Sequence, residues 1–112
     1  MNYSKRIKVY IASPYSVGNK KYNVKRQMIT GNLLVNLKFL PFMPLLFHFQ
    51  HQLYPLSYVE WLAIDLAWLE SCDCLLRLKG ESPGADIEVK KAKELKIPVF
   101  YNIEQLTQAY EC

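Results

Sequence analysis

Two acidic residues stand where the apolar side of a helix is expected. On a helical wheel of residues 85–96, at about 100° per residue, Glu88 falls between Ala92 and Leu95 inside the apolar arc. Asp65 falls on the apolar side of an earlier helix, beside its two tryptophans. An ionised carboxylate that faces a core is costly unless it is paired or protonated. These positions therefore mark Glu88 and Asp65 as candidates for chemistry.

The chemistry that two such carboxyl groups could do is the cleavage of a glycosidic bond. In that reaction, one carboxylate attacks or stabilises the anomeric carbon and the other handles the proton of the leaving group. The alternative is structural: Glu88 lies at the edge of the apolar arc and its side chain reaches water, as most glutamates do. Both interpretations are open at this point.

The helix that carries Glu88 begins at a signal for anion binding. Ser82 suits the N-cap position, because its side chain can accept hydrogen bonds from the first backbone N–H groups. Pro83 suits the first helical position. Helix N-termini with free N–H groups bind phosphate. We therefore predict a phosphate site at Ser82 and Gly84.

Strands and helices alternate along the whole chain. The pattern of apolar residues and breakers predicts strands over 7–12, 39–44, 73–78 and 96–101, and helices over 22–37, 57–71, 85–96 and 103–110. The first strand has apolar side chains at both odd and even positions, which is typical of a parallel sheet covered on both faces. We predict one α/β domain over residues 1–112, with a doubly wound, Rossmann-like or flavodoxin-like parallel sheet. Its four strands should have the order 2-1-3-4, with helices on both faces.

A sheet of this kind binds its ligand outside the carboxyl ends of the strands, where the winding reverses. Here that point is between the first and third strands, at the loops 13–18 and 79–84. Tyr10 lies near the end of the first strand and Ser13 begins its loop. The segment 45–56 has no clean period, and we predict a loop or short helix that could cover the pocket.

Local signals predict several boundaries and faces. Ser57 and Glu60 form a capping box at the start of the second helix. Lys38 stands where the turn from helix to strand favours glycine. Prolines flank the second strand, which should lie at or near a sheet edge. The first helix should be amphipathic, with an apolar face formed by Val24, Met28, Ile29, Leu33 and Val35.

The histidines and cysteines do not have the spacing of a metal site. His48 and His51 could share one face of a helix, but no carboxylate or cysteine completes a ligand set. Cys72, Cys74 and Cys112 are an odd number without CxxC spacing, and we expect reduced thiols. We expect neither a metal nor a cofactor.

The net charge of +4 suits an anionic partner. Basic residues cluster after the first loop, without aromatic interleaving or a nucleic-acid motif, at Lys20, Lys21, Lys25 and Arg26. We therefore expect a small phosphorylated ligand rather than a nucleic acid polymer. No apolar run approaches the ~20 residues of a membrane span, and the first residues lack a signal-peptide pattern. A cytoplasmic protein without a membrane partner is expected.

Three groups of residues together resemble a known family. They are Tyr10-Ile11-Ala12-Ser13-Pro14, then Asp65 with Asp73 eight residues later, then Ser82-x-Gly84-x-x-x-Glu88. Their order and spacing resemble the nucleoside 2-deoxyribosyltransferase superfamily, which includes 2′-deoxynucleoside 5′-phosphate N-hydrolases and CMP N-glycosidases. The resemblance covers residues 7–101. Asp73, at the start of a strand, is expected to be structural.

That resemblance implies a role for each matching residue. Glu88 matches the nucleophile that attacks C1′ of the sugar and forms a glycosyl ester. Asp65 matches the acid that protonates the departing base, and Tyr10 matches the tyrosine that orients the nucleophile. Ser82 occupies the position that contacts the 5′-phosphate in the nucleotide hydrolases and is acidic in the nucleoside transferases. A serine there favours a monophosphate substrate.

The first function hypothesis is therefore an enzyme that hydrolyses the N-glycosidic bond of a (deoxy)nucleoside 5′-monophosphate through a glycosyl-glutamate intermediate. A close variant transfers the deoxyribosyl group to another base. The second hypothesis is a non-catalytic module that binds or senses a nucleotide. A purely structural oligomer is the third, and Asp65 and Glu88 count against it. The resemblance and the aromatic residues between Tyr58 and Trp68 also imply a homo-oligomer, expected as a dimer.

Overall fold

The computed structural model describes residues 2–111, so Cys112 lies outside the described residues. Its sheet consists of β1 (Lys8–Ala12), β2 (Leu40–Phe42), β3 (Cys74–Arg77) and β4 (Val99–Phe100), all parallel. The strand order is β2-β1-β3-β4, so the predicted α/β fold and strand order are confirmed. The strand flanked by prolines, β2, lies at an edge as predicted.

Five α-helices occur between residues 2 and 111. They are α1 (Lys20–Asn36), α2 (Phe47–Leu53), α3 (Tyr58–Leu69), α4 (Pro83–Glu94) and α5 (Ile103–Ala109). Short 3-10 turns occur at Tyr3–Lys5 and Pro44–Leu46, so the segment predicted as a loop or short helix is a turn followed by α2. Within the described residues, no helix has the length and apolar character needed to cross a membrane.

Successive side chains of β1 enter two different cores, because neighbouring residues of a strand face opposite sides of the sheet. One core contains Val9, Ile11 and Leu76 together with Leu34 of α1 and Leu106 of α5. The other contains Tyr10, Ala12 and Leu75 together with Leu69 of α3 and Ala85 and Ala92 of α4. Helices therefore cover both faces, with α1 and α5 on one and α3 and α4 on the other.

The predicted apolar face of α1 is wrong in part. Val24 is buried as expected, but the side chains of Met28, Ile29 and Leu33 are exposed, and Ile29 is 61% exposed. The buried positions are instead Asn23, Val24, Gln27, Gly31 and Leu34. The physical reason is that two buried amides on α1 satisfy backbone groups of the neighbouring loops. The helix also begins before the predicted residue 22, because Asn19 caps it through the N–H of Tyr22.

Capping and turn residues follow the sequence more closely. Ser57 Oγ accepts from the N–H of Glu60, and the Glu60 carboxylate accepts from the N–H of Ser57, so the predicted capping box is confirmed. Lys38 has φ +73°, in the left-handed region that favours glycine. Asp73 accepts a hydrogen bond from the N–H of Lys8 at 2.7 Å, which is a structural role.

The exposed side of α3 departs from the helical wheel. Leu69 is buried, and Leu62 and Leu66 are partly buried, as the apolar stripe requires. A helical wheel also places Tyr58 and Val59 on this apolar side, but both are exposed.

The loop between β3 and α4 is held from both faces of the sheet. Arg77 donates to the carbonyl of Gly80 at 2.9 Å, and Arg26 of α1 donates to the carbonyl of Lys79 at 2.7 Å. Gly80 has φ +125°, and a Cβ built there would lie 2.7 Å from Cγ of Pro14. The loop after β3 therefore packs against the loop after β1 only because residue 80 has no side chain.

We predict that Gly80→Ala lowers the free energy of unfolding by about 1–3 kcal/mol, because the added methyl group meets Pro14 and the backbone is strained. Gly84→Ala is the matched control, since its Cβ would lie 3.5 Å from the Tyr58 hydroxyl oxygen, an ordinary van der Waals distance. That control should leave the unfolding free energy unchanged or slightly raised. Urea denaturation of the three proteins measures the difference, and equal midpoints for Gly80→Ala and the wild type would contradict it.

Candidate active site

A cavity of about 550 Å³ opens beyond the carboxyl ends of β1 and β3. Five of the six residues predicted for the site line it: Ser13, Asp65, Ser82, Gly84 and Glu88. The sixth, Tyr10, lies behind the wall and contacts Glu88. The structure thus brings together residues from β1, α3 and α4 that are far apart in the sequence.

Glu88 lies on the side of α4 that faces the sheet, and only 6% of the residue is exposed. Ala85 and Ala92, one turn before and one turn after it, are buried against the same core. Their small side chains allow the helix to lie close to the sheet. The predicted inward orientation of Glu88 is confirmed, and the alternative in which it reaches bulk water is wrong.

Tyr10 holds the Glu88 carboxylate from behind. The Tyr10 hydroxyl donates a short hydrogen bond to Oε2 of Glu88. Tyr10 itself is fully buried, and its ring stacks on Phe42 at 5.6 Å between centroids. Phe42 in turn stacks on Trp68 at 5.2 Å. Because this aromatic stack keeps the phenol in place, the direction from which Glu88 is held is set by the core.

Asp65 enters the cavity from α3. It lies one turn before the buried Leu69, on the same stripe of the helix. Its Oδ1 atom is buried and has no hydrogen-bond partner among residues 2–111. An unsatisfied buried carboxyl oxygen is destabilising, and native proteins contain few of them. A group that binds to this oxygen from within the cavity would remove that cost.

Burial raises the pKa values of both carboxyl groups. It raises the pKa of Asp65 to about 7. It raises the pKa of Glu88 to about 8. The hydrogen bond from Tyr10 and the charge of Arg77 lower this pKa, whereas the charge of Asp65 raises it further. Because the charge on one carboxylate disfavours the charge on the other, the two groups titrate as a pair. Near neutral pH the pair holds protons that isolated carboxyl groups would have lost.

Arg77 does not line the cavity, but its charge lowers the pKa of Glu88, and the sequence interpretation did not include it. It ends β3, beside Ala12 of β1, and its side chain is 11% exposed. Its guanidinium group forms an ion pair with Asp86 at 3.1 Å and donates to the carbonyls of Leu78 and Gly80. The sequence did contain a signal for this residue: Arg77 is a cation near the carboxyl end of a predicted buried strand, next to the predicted crevice.

The start of α4 offers fewer donors than the sequence predicts. Ser82 is the N-cap, but its Oγ atom accepts from the N–H of Ala85 at 3.1 Å. Pro83 has no N–H group, so the N–H of Gly84 is the donor that remains in the first turn. The Ser82 hydroxyl can still donate its proton to a ligand. Lys20, from the basic cluster, lines the same cavity.

Aromatic and histidine side chains cover the cavity from the side of α2. Phe47 stacks on Trp61 at 5.3 Å. Trp61 donates its indole N–H to Nδ1 of His51 at 2.7 Å, and Tyr15 is hydrogen-bonded to His48. All five residues line the cavity, so the predicted cover over 45–56 is present. No group of three or more metal-ligating side chains occurs in the chain from residue 2 to residue 111.

We predict that Glu88→Gln stabilises the fold at alkaline pH. The pKa of Glu88 is higher in the folded state, about 8 against 4.5, so the wild-type protein loses stability as the pH rises through that range. An amide can accept from Tyr10 without ionising. The variant should therefore gain about 1–3 kcal/mol over the wild type at about pH 9 and little at about pH 5.

The matched control is Glu94→Gln, the same substitution at an exposed position of the same helix. Its effect on the unfolding free energy should not change with pH. Urea denaturation at both pH values gives the comparison. A gain for Glu88→Gln that is equal at both pH values would contradict the proposed burial of the charge.

Comparison with known protein families adds one finding. Residues 7–102 match the model of a family described as a domain of unknown function, DUF7768. No curated protein matches the sequence. The match spans all six predicted site residues, from Tyr10 to Glu88. Because it covers most of the sequence, this chain belongs to the DUF7768 family.

Proposed function

We propose that this protein hydrolyses the N-glycosidic bond of a nucleoside 5′-monophosphate. In this proposal Glu88 is the nucleophile, Asp65 is the acid and Tyr10 orients Glu88. One observation supports it most directly: Glu88, which is buried and hydrogen-bonded to the buried Tyr10, lines the same cavity as Asp65. The Oδ1 atom of Asp65 has no hydrogen-bond partner among residues 2–111. The resemblance of these residues to the nucleoside 2-deoxyribosyltransferase superfamily supports the same roles.

The placement of the two carboxyl groups favours catalysis over a structural role. A fold gains nothing from burying two acids that raise each other's cost of ionisation. Apolar residues of similar size at both positions would make a more stable core. Buried carboxyl groups with raised pKa values in a cavity are characteristic of functional sites, because acid and base chemistry near neutral pH requires them. The cavity, at about 550 Å³, is also within the ~300–1,000 Å³ of small-molecule sites.

The proposed first step transfers the sugar to the protein. Tyr10 occupies Oε2 of Glu88, so Oε1 is the atom that attacks. A bond forms between Oε1 and C1′ while the bond from C1′ to the base breaks, and its electron pair goes to the base nitrogen. Asp65 in its protonated form gives its proton to the base. The products of this step are the free base and a glycosyl ester of Glu88.

The proposed second step releases the sugar. Water attacks C1′, and the ionised Asp65 takes one of its protons. The bond between C1′ and Glu88 breaks as the bond to the water oxygen forms, which returns the Glu88 carboxylate and leaves the proton on Asp65. The hydrogen bond from Tyr10 favours Glu88 as a leaving group, because it stabilises the carboxylate that forms. A base that enters instead of water would accept the sugar, which is the transferase variant.

The donors at the cavity rim favour a substrate with a phosphate group. The Ser82 hydroxyl, the Gly84 N–H and the Lys20 ammonium group can each donate to an anion. Glu81, the nearest acid to this end, does not line the cavity. The phosphate of such a substrate would lie at the donors of the rim. The positive charge that develops on its sugar would lie at the two carboxyl groups.

A second candidate function is the binding of a nucleotide without turnover. Burial raises the pKa of Glu88 to about 8, so the group proposed as the nucleophile is mostly protonated in the ligand-free protein at neutral pH. A protonated Glu88 would donate a hydrogen bond to a ligand rather than attack it. Tight nucleotide binding without base release would support this function.

We also propose a cytoplasmic homodimer. The side chains of Tyr58, Val59 and Trp68 on α3 are at least half exposed, and Leu53 at the end of α2 is more exposed still. Apolar side chains exposed together commonly mark a contact surface. Among residues 2–111, Cys72 and Cys74 form no disulfide, which is consistent with a reducing compartment.

We predict that the wild-type protein releases free base from at least one nucleoside 5′-monophosphate, and that Glu88→Ala lowers this rate about a thousandfold or more. Asp65→Asn should slow release by about 10²–10⁴-fold, because the base must then leave without a proton. Chromatography of purified protein incubated with a panel of nucleotides, with and without an acceptor base, measures both products. Glu94→Gln is the control and should release base at the wild-type rate.

Base release by Glu88→Ala at the wild-type rate would contradict the assignment of the nucleophile. A new nucleoside that appears only when an acceptor base is present would identify the transferase variant. Far-UV circular dichroism of each variant ensures that a lost activity is not a lost fold.

The pH dependence of kcat/KM should be bell-shaped. The reaction needs one proton on the pair, and it needs that proton on Asp65. With pKa values of about 7 for Asp65 and about 8 for Glu88, this reactive form is the less populated of the two singly protonated forms. Below this range both groups are protonated and no nucleophile exists, whereas above it both are ionised and no acid exists. The maximum should therefore lie between the two values. Asp65→Asn should remove the alkaline limb, and a profile that keeps it would contradict the role of Asp65 as acid.

A further inference from the structure

Gln27 is a buried amide at the edge of the cavity, and only 1% of the residue is exposed. It lies on α1, which otherwise covers the opposite face of the sheet, and reaches around the end of β1. Its Nε2 atom donates to the carbonyl of Ile11 at 3.1 Å and to Oγ of Ser13 at 2.7 Å. Its Oε1 atom accepts from the N–H of Leu45 at 2.9 Å.

The two backbone partners determine which way this amide points. If the amide were turned over, Oε1 would face the carbonyl oxygen of Ile11 and Nε2 would face the N–H of Leu45. Both contacts would then be repulsive. Nε2 is therefore the atom next to Ser13, and an amide nitrogen donates hydrogen bonds but does not accept them.

This orientation decides what Ser13 can do. Its Oγ atom accepts from Gln27, so its own proton cannot point at Gln27 and must point elsewhere. Ser13 lines the cavity, and no group among residues 2–111 accepts that proton. On the other loop, the Oγ atom of Ser82 accepts from the N–H of Ala85, so the hydroxyl proton of Ser82 also points elsewhere. Each of these serines offers the cavity a donor.

We propose that Gln27 is a positioning residue that holds Ser13 as a hydrogen-bond donor toward an oxygen atom of the ligand. The inference rests on the proposed function, since the oxygen would belong to the phosphoryl group or the sugar of a nucleotide. Through Leu45 the same amide also anchors the 3-10 turn Pro44–Leu46, which leads into the cover formed by α2. One side chain thus links the donor to the segment that closes over it.

A matched control lies one turn earlier on α1. Asn23 is also a buried amide, and its Nδ2 atom donates to the carbonyls of Tyr15 and Val17, both at 2.9 Å. It supports the same loop but neither contacts Ser13 nor lines the cavity. A residue that only holds the loop should behave like Asn23, whereas a residue that acts through Ser13 should not.

The test is a double-mutant cycle on binding. Isothermal titration calorimetry uses the Glu88→Gln protein, which lacks the proposed nucleophile, and three probes: the common nucleoside 5′-monophosphates, the matching nucleosides and inorganic phosphate. Gln27→Met and Ser13→Ala should each weaken binding about tenfold, and the double variant should be no weaker than either single variant. Asn23→Ala should combine additively with Ser13→Ala.

A second variant applies if Gln27→Met does not fold. Gln27→Glu keeps the acceptor for the N–H of Leu45 but puts an oxygen in place of the nitrogen that donates to both Ser13 and the carbonyl of Ile11. The proton of Ser13 is then drawn toward the new carboxylate and away from the cavity, so binding should weaken at least as much. If the protein is active, KM should rise for both variants while kcat stays near the wild-type value.

The probes identify which oxygen Ser13 contacts. An equal loss for nucleosides and nucleotides assigns a sugar oxygen, and a loss limited to the phosphorylated probes assigns a phosphoryl oxygen. Additive effects of Gln27→Met and Ser13→Ala, or no loss with any probe, would overturn the role of Gln27. Absence of base release by the wild-type protein would overturn the proposed function alone, because the coupling is measured by binding.

Discussion

The hydrogen bond between Tyr10 and Glu88 is the interaction on which the rest of the site depends. It joins the central strand of the sheet to the helix that follows β3, and both partners are buried. The alanines on either side of Glu88 allow α4 to lie close enough for the contact, and the stack of Phe42 and Trp68 fixes the phenol from behind. The proposed function requires this bond to leave one carboxylate oxygen open to the cavity.

The sequence alone predicts most of the architecture, because apolar patterning and breakers are local signals. The strand order, the position of β2 at an edge, the capping box at Ser57 and the inward side of Glu88 were all predictable from residue types and spacing. The placement of Ser13 and Ser82 at one cavity was predictable as well, since parallel strands put their following loops at the same end of a sheet.

What could not be predicted depends on contacts between distant segments. Gln27 is buried in preference to Met28 and Ile29 because it bonds to backbone groups of β1 and of the Pro44–Leu46 turn. A helical wheel contains no information about such partners. The hydrogen bond from Arg26 of α1 to the carbonyl of Lys79 is likewise a tertiary contact. In each case a polar side chain satisfies a group that lies far away in the sequence.

The division of the sheet into two faces has a practical consequence. The acidic residues and Tyr10 belong to the side covered by α3 and α4, whereas α5 packs on the other side through Leu106. The outward residues Glu104 and Gln108 of α5 are therefore remote from the cavity and solvent-exposed. A fluorophore or a solid support coupled at either position would leave the entrance of the cavity unobstructed.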